Sequence, residues 1–283
     1  MLKCYGDEAF RTGAEFTEKD VSIMKKLLAL LLCIAMVCSL GAVFADDSDL
    51  AYIQGKGTLV VGITDFEPMD YKDGDEWIGF DADMAKAFAA SLGVAVQFVE
   101  IDWDNKIVEL DSKAIDCIWN GMTLTPEMVS ASSTSKAYAN NAQIIIVKAD
   151  KADAFQAAES LQGLTVAVEA GSAGKLVLDE LGIDLTINEV QSQAAALMEV
   201  AAGTSDAAVI DNMMAAAMVG EGTSYPDLVY TVGLNEEEYG VAFRTGSELA
   251  EMLNSFFAAS WADGSMKELA DKYGVTAMII PQE

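Results

Sequence analysis

Histidine is absent from this 283-residue chain, and of its four cysteines only Cys117 lies beyond an apolar stretch ending at Ala45. A lone cysteine makes neither an internal disulfide nor a Cys/His zinc site, and a Ser-His-Asp triad would lack its middle member. No metal or cofactor is called for, and acid–base work falls to carboxylates. Glu169 and Asp211 stand at or just beyond the ends of apolar runs, TVAVE and AAVI, and an enzyme built on this chain would need them as acid and base. Two bland readings compete: Glu169 as a solvated strand edge, and Asp211 as the cap of a helix beginning near Asn212. The tetrapeptide Gly171-Ser172-Ala173-Gly174 opens a helix, so its N–H groups point outward and suit a carboxylate. It is too short for a phosphate-binding Walker loop, which sets nucleotides aside.

The elements that must position these residues come in two similar sets. Gly57–Thr64 (GTLVVGIT) is an apolar, β-branched run, predicting a buried strand. A helix follows from Asp81, with Met84, Ala85, Phe88 and Leu92 on one face, Asp81 as cap and Gly93 as stop. Strands at 95–101 and 115–119 flank a helix at 105–110. The same strand, helix, strand, helix, strand order returns at 164–168, 173–181, 185–190, 193–202 and 207–210. QIIIVK (143–148) and YGVAFR (239–244) connect the two sets. Beyond them Leu249, Met252, Leu253, Phe256, Phe257 and Trp261 form a helical stripe read as packing. In open α/β sheets ligands sit beyond the carboxyl ends of strands, and clefts between domains are favoured sites. That singles out residues 65–68, 101–104, 120–123, 169–173 and 211–212.

Seventeen Lys and Arg against 45 Asp and Glu give a net charge of −28, which excludes a nucleic-acid partner and an anionic membrane surface. From Met24 the chain reads MKKLLALLLCIAMVCSLGAVFA, the order of a secretory signal peptide, with cleavage expected after Ala45. Residues 1–23 precede the charged n-region and read as a non-native extension. A permanent span over 27–45 is the alternative, and a lipid anchor at Cys38 is disfavoured by Val37 before it. Either way the acidic body is exported, to the periplasm or the outer face of the cytoplasmic membrane.

GITDFEPMDY, WIGFDADMAKAFAASLGV, DWDNKIVEL, IDCIWNGMTLTPE and AVIDNM together resemble the family 3 extracellular solute-binding proteins of polar amino-acid ABC importers, over 50–275. The resemblance implies an α/β, two-lobed periplasmic-binding-protein-like fold of type II, hinged on two crossing strands. Lobe 1 would hold 46–143 and 240–283, and lobe 2 149–235. It implies a small polar ligand, ABC permease subunits as partners, and a monomer.

Carried over residue by residue, the resemblance lays Phe66 over the ligand side chain and packs Trp103, between Asp102 and Asp104, on the other side. Gly121 offers a carbonyl and Thr123 a hydroxyl to the ligand ammonium, which Asp211 pairs as an ionised acceptor. Asp65, Asn120, Glu169, Gly171 and Ser172 complete the expected pocket. Family members follow the TPE segment with an arginine that forks onto the ligand carboxylate; here that position is Met128, and methionine has no charge to offer. Arg11 precedes the leader and Arg244 lies in the returning strand, leaving Lys106, Lys136 and Lys175 as carboxylate partners. Such a pocket favours a cationic or zwitterionic amino acid, or an amine without a carboxylate. Two rivals remain: a dehydratase-like enzyme of the same fold, and a receptor's sensory domain, which would be expected to continue into signalling modules.

Overall fold

The computed structural model describes residues 48–282; the expected extension and leader lie outside the described residues. Helix α1 (Asp49–Lys56) leads into β1 (Thr58–Ile63), a hairpin of β2 (Tyr71–Asp73) and β3 (Glu76–Ile78), and α2 (Phe80–Ser91). Strand β4 (Ala95–Glu100), α3 (Lys106–Asp111), β5 (Cys117–Thr123), α4 (Pro126–Ala131), β6 (Ser133–Thr134) and β7 (Ala139–Asn141) follow. The second set is β8 (Gln143–Lys148), β9 (Thr165–Glu169), α5 (Ala173–Glu180), β10 (Thr186–Val190), α6 (Gln193–Ala202), β11 (Ala207–Asp211), α7 (Asn212–Met218) and β12 (Leu228–Gly233). The chain ends with β13 (Glu237–Phe243), α8 (Leu249–Asp263) and α9 (Ser265–Lys272).

Two sheets result, ordered β4-β1-β5-β13-β6, with β7 on β13, and β10-β9-β11-β8-β12. In each, three parallel strands connected through helices put the first between the second and third. An antiparallel strand then closes each set: β13 against β5, and β8 against β11. QIIIVK is therefore a strand of the second sheet, with Ile145 opposite Val209, and YGVAFR lies largely within β13 of the first. The chain crosses between sheets at Ala142 and again over 234–236. Strand β5 runs on to Thr123, so Asn120 and Gly121, read as a loop, are strand residues.

Aromatic packing fixes the first lobe. The stripe on α8 is turned inward, with Leu253 and Phe257 fully buried and Phe257 edge-on to Trp119 at 5.7 Å between centroids. The α2 start differs from the sequence expectation. The helix begins at Phe80, Gly79 is its cap, and Asp81 makes no cap bond. Gly79 adopts φ 128°, and a Cβ there would come within 2.1 Å of the Met69 carbonyl oxygen, so the chain turns in too tightly for another residue. Asp81 points into the core and accepts from the Gly121 N–H and the Tyr138 hydroxyl, both at 2.7 Å.

Arg244, at the end of β13, is buried away from the ligand side of the sheet. Its Nε and Nη2 donate to Asp49 Oδ1 at 2.9 and 2.8 Å, Nη1 donates to the Ile115 carbonyl, and Nη2 lies 3.3 Å from Asp116 Oδ1. Asp116 also receives the Val60 N–H and Lys56 Nζ. This cluster ties α1, β1, β5 and β13 together. Removing one member leaves the other charges buried without compensation. Arg244→Met is expected to lower the unfolding free energy by about 3 kcal/mol in denaturant titrations; a loss below about 1 kcal/mol, the range of solvated pairs, would show that water already serves these carboxylates.

Candidate functional site

A cavity of about 180 Å³ opens between the two sheets, where the carboxyl ends of β1, β5, β9 and β11 face one another. It is smaller than the roughly 300–1,000 Å³ of pockets for drug-sized ligands. Thr64, Phe66, Trp103, Lys106, Asn120, Gly121, Thr123 and Met128 line it from one side; Glu169, Gly171, Ser172, Gln193 and Asp211 line it from the other.

Just beyond β1, Thr64 and Phe66 alternate inward, which sends Asp65 outward. Asp65 is exposed and does not line the cavity, against the sequence expectation. Phe66 is 2% exposed and stands edge-on to Tyr239 at 6.4 Å. Gly121 has φ 55°, and a Cβ on it would come within 2.4 Å of Phe66 Cε1, so glycine here is what lets the ring lie against the strand. Asn120 lines the wall with its bonding capacity used up. Its Oδ1 receives the Thr64 N–H and hydroxyl at 2.9 and 2.8 Å, and its Nδ2 donates to the Thr64 carbonyl and Asp70 Oδ2 at 3.1 and 2.8 Å. It lines the cavity as a strut that holds the chain beyond β1 in place, with its own donors and acceptors engaged within the protein.

Asp211 ends β11 and is 4% exposed. Its Oδ1 receives Asn141 Nδ2 at 3.0 Å and Gln143 Nε2, its Oδ2 receives Gln193 Nε2 at 2.7 Å, and its own N–H donates to Gln193 Oε1 at 2.8 Å. It stands at the cap position of α7 without a side-chain cap bond, so the helix-cap reading fails. Burial, then the charge of Glu237, push its carboxyl up to about 7, against the pull of the amide donors. Glu237 shares that frame: its Oε1 accepts from Thr123 Oγ1 at 3.0 Å, Asn141 Nδ2 at 2.7 Å and Gln143 Nε2 at 2.8 Å. Asn141, Gln143, Gln193 and Glu237 were not found from sequence. They sit at ends of runs where a polar residue reads as a boundary, and only the crossing of the chain brings them together.

Glu169 ends β9, is 3% exposed, and has one carboxylate oxygen, Oε1, with no hydrogen-bond partner. The solvated-edge reading fails with that burial. Desolvation, then the Asp211 charge, push its carboxyl up to about 8, with Lys106 the main opposing influence. Lys106, the first residue of α3, reaches across the cleft and donates to the Gly171 carbonyl at 2.8 Å and the Trp103 carbonyl at 3.1 Å. Its ammonium lies 5.1 Å from the Trp103 ring centroid. Burial draws it below the usual lysine range, while Glu169, Glu127 and Asp104 hold it up.

Gly171 has φ 67°, and a Cβ there would come within 2.7 Å of the Asp104 Cα, so the two sides of the cleft meet backbone to backbone at this point. Ser172 caps α5, its Oγ accepting the Lys175 N–H at 3.2 Å. Lys175 lines the mouth but is paired with Asp179 at 2.6 Å, and Lys136 is exposed and away from the cavity. Met128, 3% exposed, belongs to the apolar cluster of Trp103, Ile118 and Met122. Among the described residues no group of three His, Cys, Asp or Glu is placed to hold a metal, and no helix is long and apolar enough to cross a membrane.

Residues 59–276 match the bacterial extracellular solute-binding proteins, family 3. The chain belongs to this family. The arginine-binding extracellular protein ArtP of Bacillus subtilis is 30% identical over 257 residues, 88% of this chain and 98% of that protein. A mutant of ArgBP from T. maritima superposes with a TM-score of 0.74 at 31% identity, covering 80% of this chain and 98% of that one. An ancestral amino acid-binding protein, AncCDT-1, described as a precursor of cyclohexadienyl dehydratase, gives 0.73 at 34% identity, covering 80% and 99%. The named relatives are binding proteins, and the expected type II fold is the one observed.

A solute-binding protein with a protonated carboxyl in its cleft has a distinctive pH profile. Native Glu169 keeps its proton up to about pH 8, whereas a glutamate in the unfolded chain loses it near 4.5. Asp211 behaves alike between 3.8 and about 7. Across these windows the native state binds more protons than the unfolded one, so stability falls as pH rises. The melting temperature of the ligand-free protein is expected to fall from pH 5 to pH 8, and Glu169→Gln to flatten the part between 7 and 8. A slope unchanged by that substitution would move the titration to another group.

Proposed function

We propose that this solute-binding protein captures a cationic L-amino acid, arginine foremost, and passes it unaltered to the permease of an ABC importer. The observation that carries the reading is a small cavity in which Asp211 is held by three amide groups while a buried oxygen of Glu169 has no partner. A buried carboxylate left unpaired is costly, and an N–H cation restores its hydrogen bond and charge balance together. Phe66 and Trp103 supply aromatic walls that favour a cation over an anion. The names of ArtP and ArgBP point to the same ligand class. Met128 adds an apolar surface where an acidic ligand would need a guanidinium.

Export rests on the leader at 24–45, and closure of the lobes would occur about the two crossings, at Ala142 and 234–236. The dehydratase-like alternative draws on AncCDT-1, whose own description is an amino acid-binding protein. Transport without turnover is the reading favoured here, because the two candidate acids are both poised as acceptors for one cation.

Calorimetry with L-arginine, L-lysine, L-histidine and L-glutamate tests it. The basic amino acids are expected to bind and to be recovered unchanged, and glutamate to give no heat of binding. Asp211→Asn is expected to weaken binding at least about tenfold, as loss of a charged hydrogen bond does, while the fold persists. Tight binding of glutamate by the unsubstituted protein would sink the proposal, and a converted ligand would establish the enzyme instead.

A further inference from the structure

We propose that Lys106 receives the carboxylate of the bound amino acid, performing from α3 the task that Met128 on α4 cannot; the inference rests on the cationic amino-acid reading above. The argument starts from the cations in the cleft. Among the described residues lining it, only Lys106 and Lys175 are basic. Lys175 is taken by Asp179 one turn along its own helix, at 2.6 and 2.8 Å. Arg244 is locked between Asp49 and Asp116, and Lys136 faces solvent elsewhere.

Lys106 is differently placed. Its ammonium has three N–H groups, of which the carbonyls of Trp103 and Gly171 occupy two, leaving one unassigned. Both partners are neutral, and among the described residues no carboxylate lies in ion-pair contact with it; Glu169, Glu127 and Asp104 act on it only from a distance. A half-buried ammonium without a contact counter-ion is complementary to an anion entering the same cavity. The Trp103 ring beneath it and the two carbonyls fix its position before the ligand arrives. The carbonyl it holds belongs to Gly171, next to the Ser172 cap, which takes the Lys175 N–H and leaves those of Ala173 and Gly174 without an intrahelical partner. Lys106 and the start of α5 thus make one electropositive end of a cavity whose other polar end is the frame of Asp211. A zwitterion fits that polarity; an amine without a carboxylate leaves Lys106 unanswered.

Matched pairs that differ only in the carboxylate test this: L-arginine and agmatine, L-lysine and cadaverine, L-histidine and histamine, titrated into the unsubstituted protein, Lys106→Met and Lys106→Arg. The unsubstituted protein is expected to prefer the amino acid of its pair at least about tenfold. Lys106→Met should erase that preference by weakening the amino acid while the decarboxylated partner, whose binding also reports the fold, changes less than about twofold. Lys106→Arg should keep the preference. Equal losses for both members would make Lys106 a strut between the lobes only, and an unchanged ratio would put the carboxylate elsewhere; either overturns the inference. Equal binding of amines and amino acids by the unsubstituted protein would also overturn it, yet leave the cationic reading standing. No binding of any of the six would refute the cationic reading and this inference with it.

Discussion

The arrangement depends on one buried interaction, the amide frame around the Asp211 carboxylate. Asn141 precedes the first crossing, Gln143 opens β8 just after it, and Gln193 opens α6. Glu237, which opens β13 after the second crossing, is held by the first two of those amides. The proposed ligand acceptor and the two crossings therefore share the same side chains. Four polar groups must be satisfied together, since each buried donor or acceptor left open costs roughly 1–3 kcal/mol. A change in the angle between the sheets moves Asn141 and Glu237, paired in the first, relative to Gln143 and Asp211, paired in the second. Occupancy of the cleft and the setting of the hinge are thus coupled through hydrogen bonds, without any longer path through the fold.

That frame also explains why the cavity stays acidic without being highly charged. Burial, then the charge of Asp211 on Glu169 and of Glu237 on Asp211, push Glu169 to about 8 and Asp211 to about 7, so near neutrality the empty cleft carries protons. A cation of the kind proposed would favour release of those protons, because it stabilises the ionised carboxylates. The protein's net charge of −28 adds a field that draws cations toward the mouth. An anion would meet the same field and two carboxylates, with one ammonium to receive it.

Much of the fold was legible in the sequence because its signals are local. Apolar β-branched runs gave the parallel strands, and Gly93 and Ser172 marked helix ends where the structure has them. The antiparallel strand β8 was read as a connector, since a run such as QIIIVK carries no sign of the sheet that will accept it. Asp81 misled for a related reason. An acidic residue ahead of an apolar helix face reads as a cap, yet the close approach of Gly79 to Met69 starts the helix one residue earlier and turns Asp81 inward. In the site, Phe66, Trp103, Asn120, Gly121, Thr123, Met128, Glu169, Gly171, Ser172 and Asp211, all singled out from sequence, line the cavity. Asp65 faces out by alternation and Asn120 is spent on Thr64. The amide frame was invisible because its members lie 50 or more residues apart in some pairs and meet only across the crossing.

Met128 and Lys106 are best understood as one choice. Met128 lines the cleft while packing among Trp103, Ile118 and Met122, so an arginine in its place would set a guanidinium against apolar neighbours, a cost offset only when a carboxylate is bound. With methionine the cluster is complete in the empty protein, and Trp103 is held rigidly enough to seat the Lys106 ammonium against its ring. Lys106 in turn bridges to Gly171, where the backbones of the two lobes approach too closely for any side chain. The positive group of the cleft is thereby attached to the point of lobe contact instead of to the wall. Under the proposed closure, bringing the lobes together and completing the electropositive end of the cavity would be the same event.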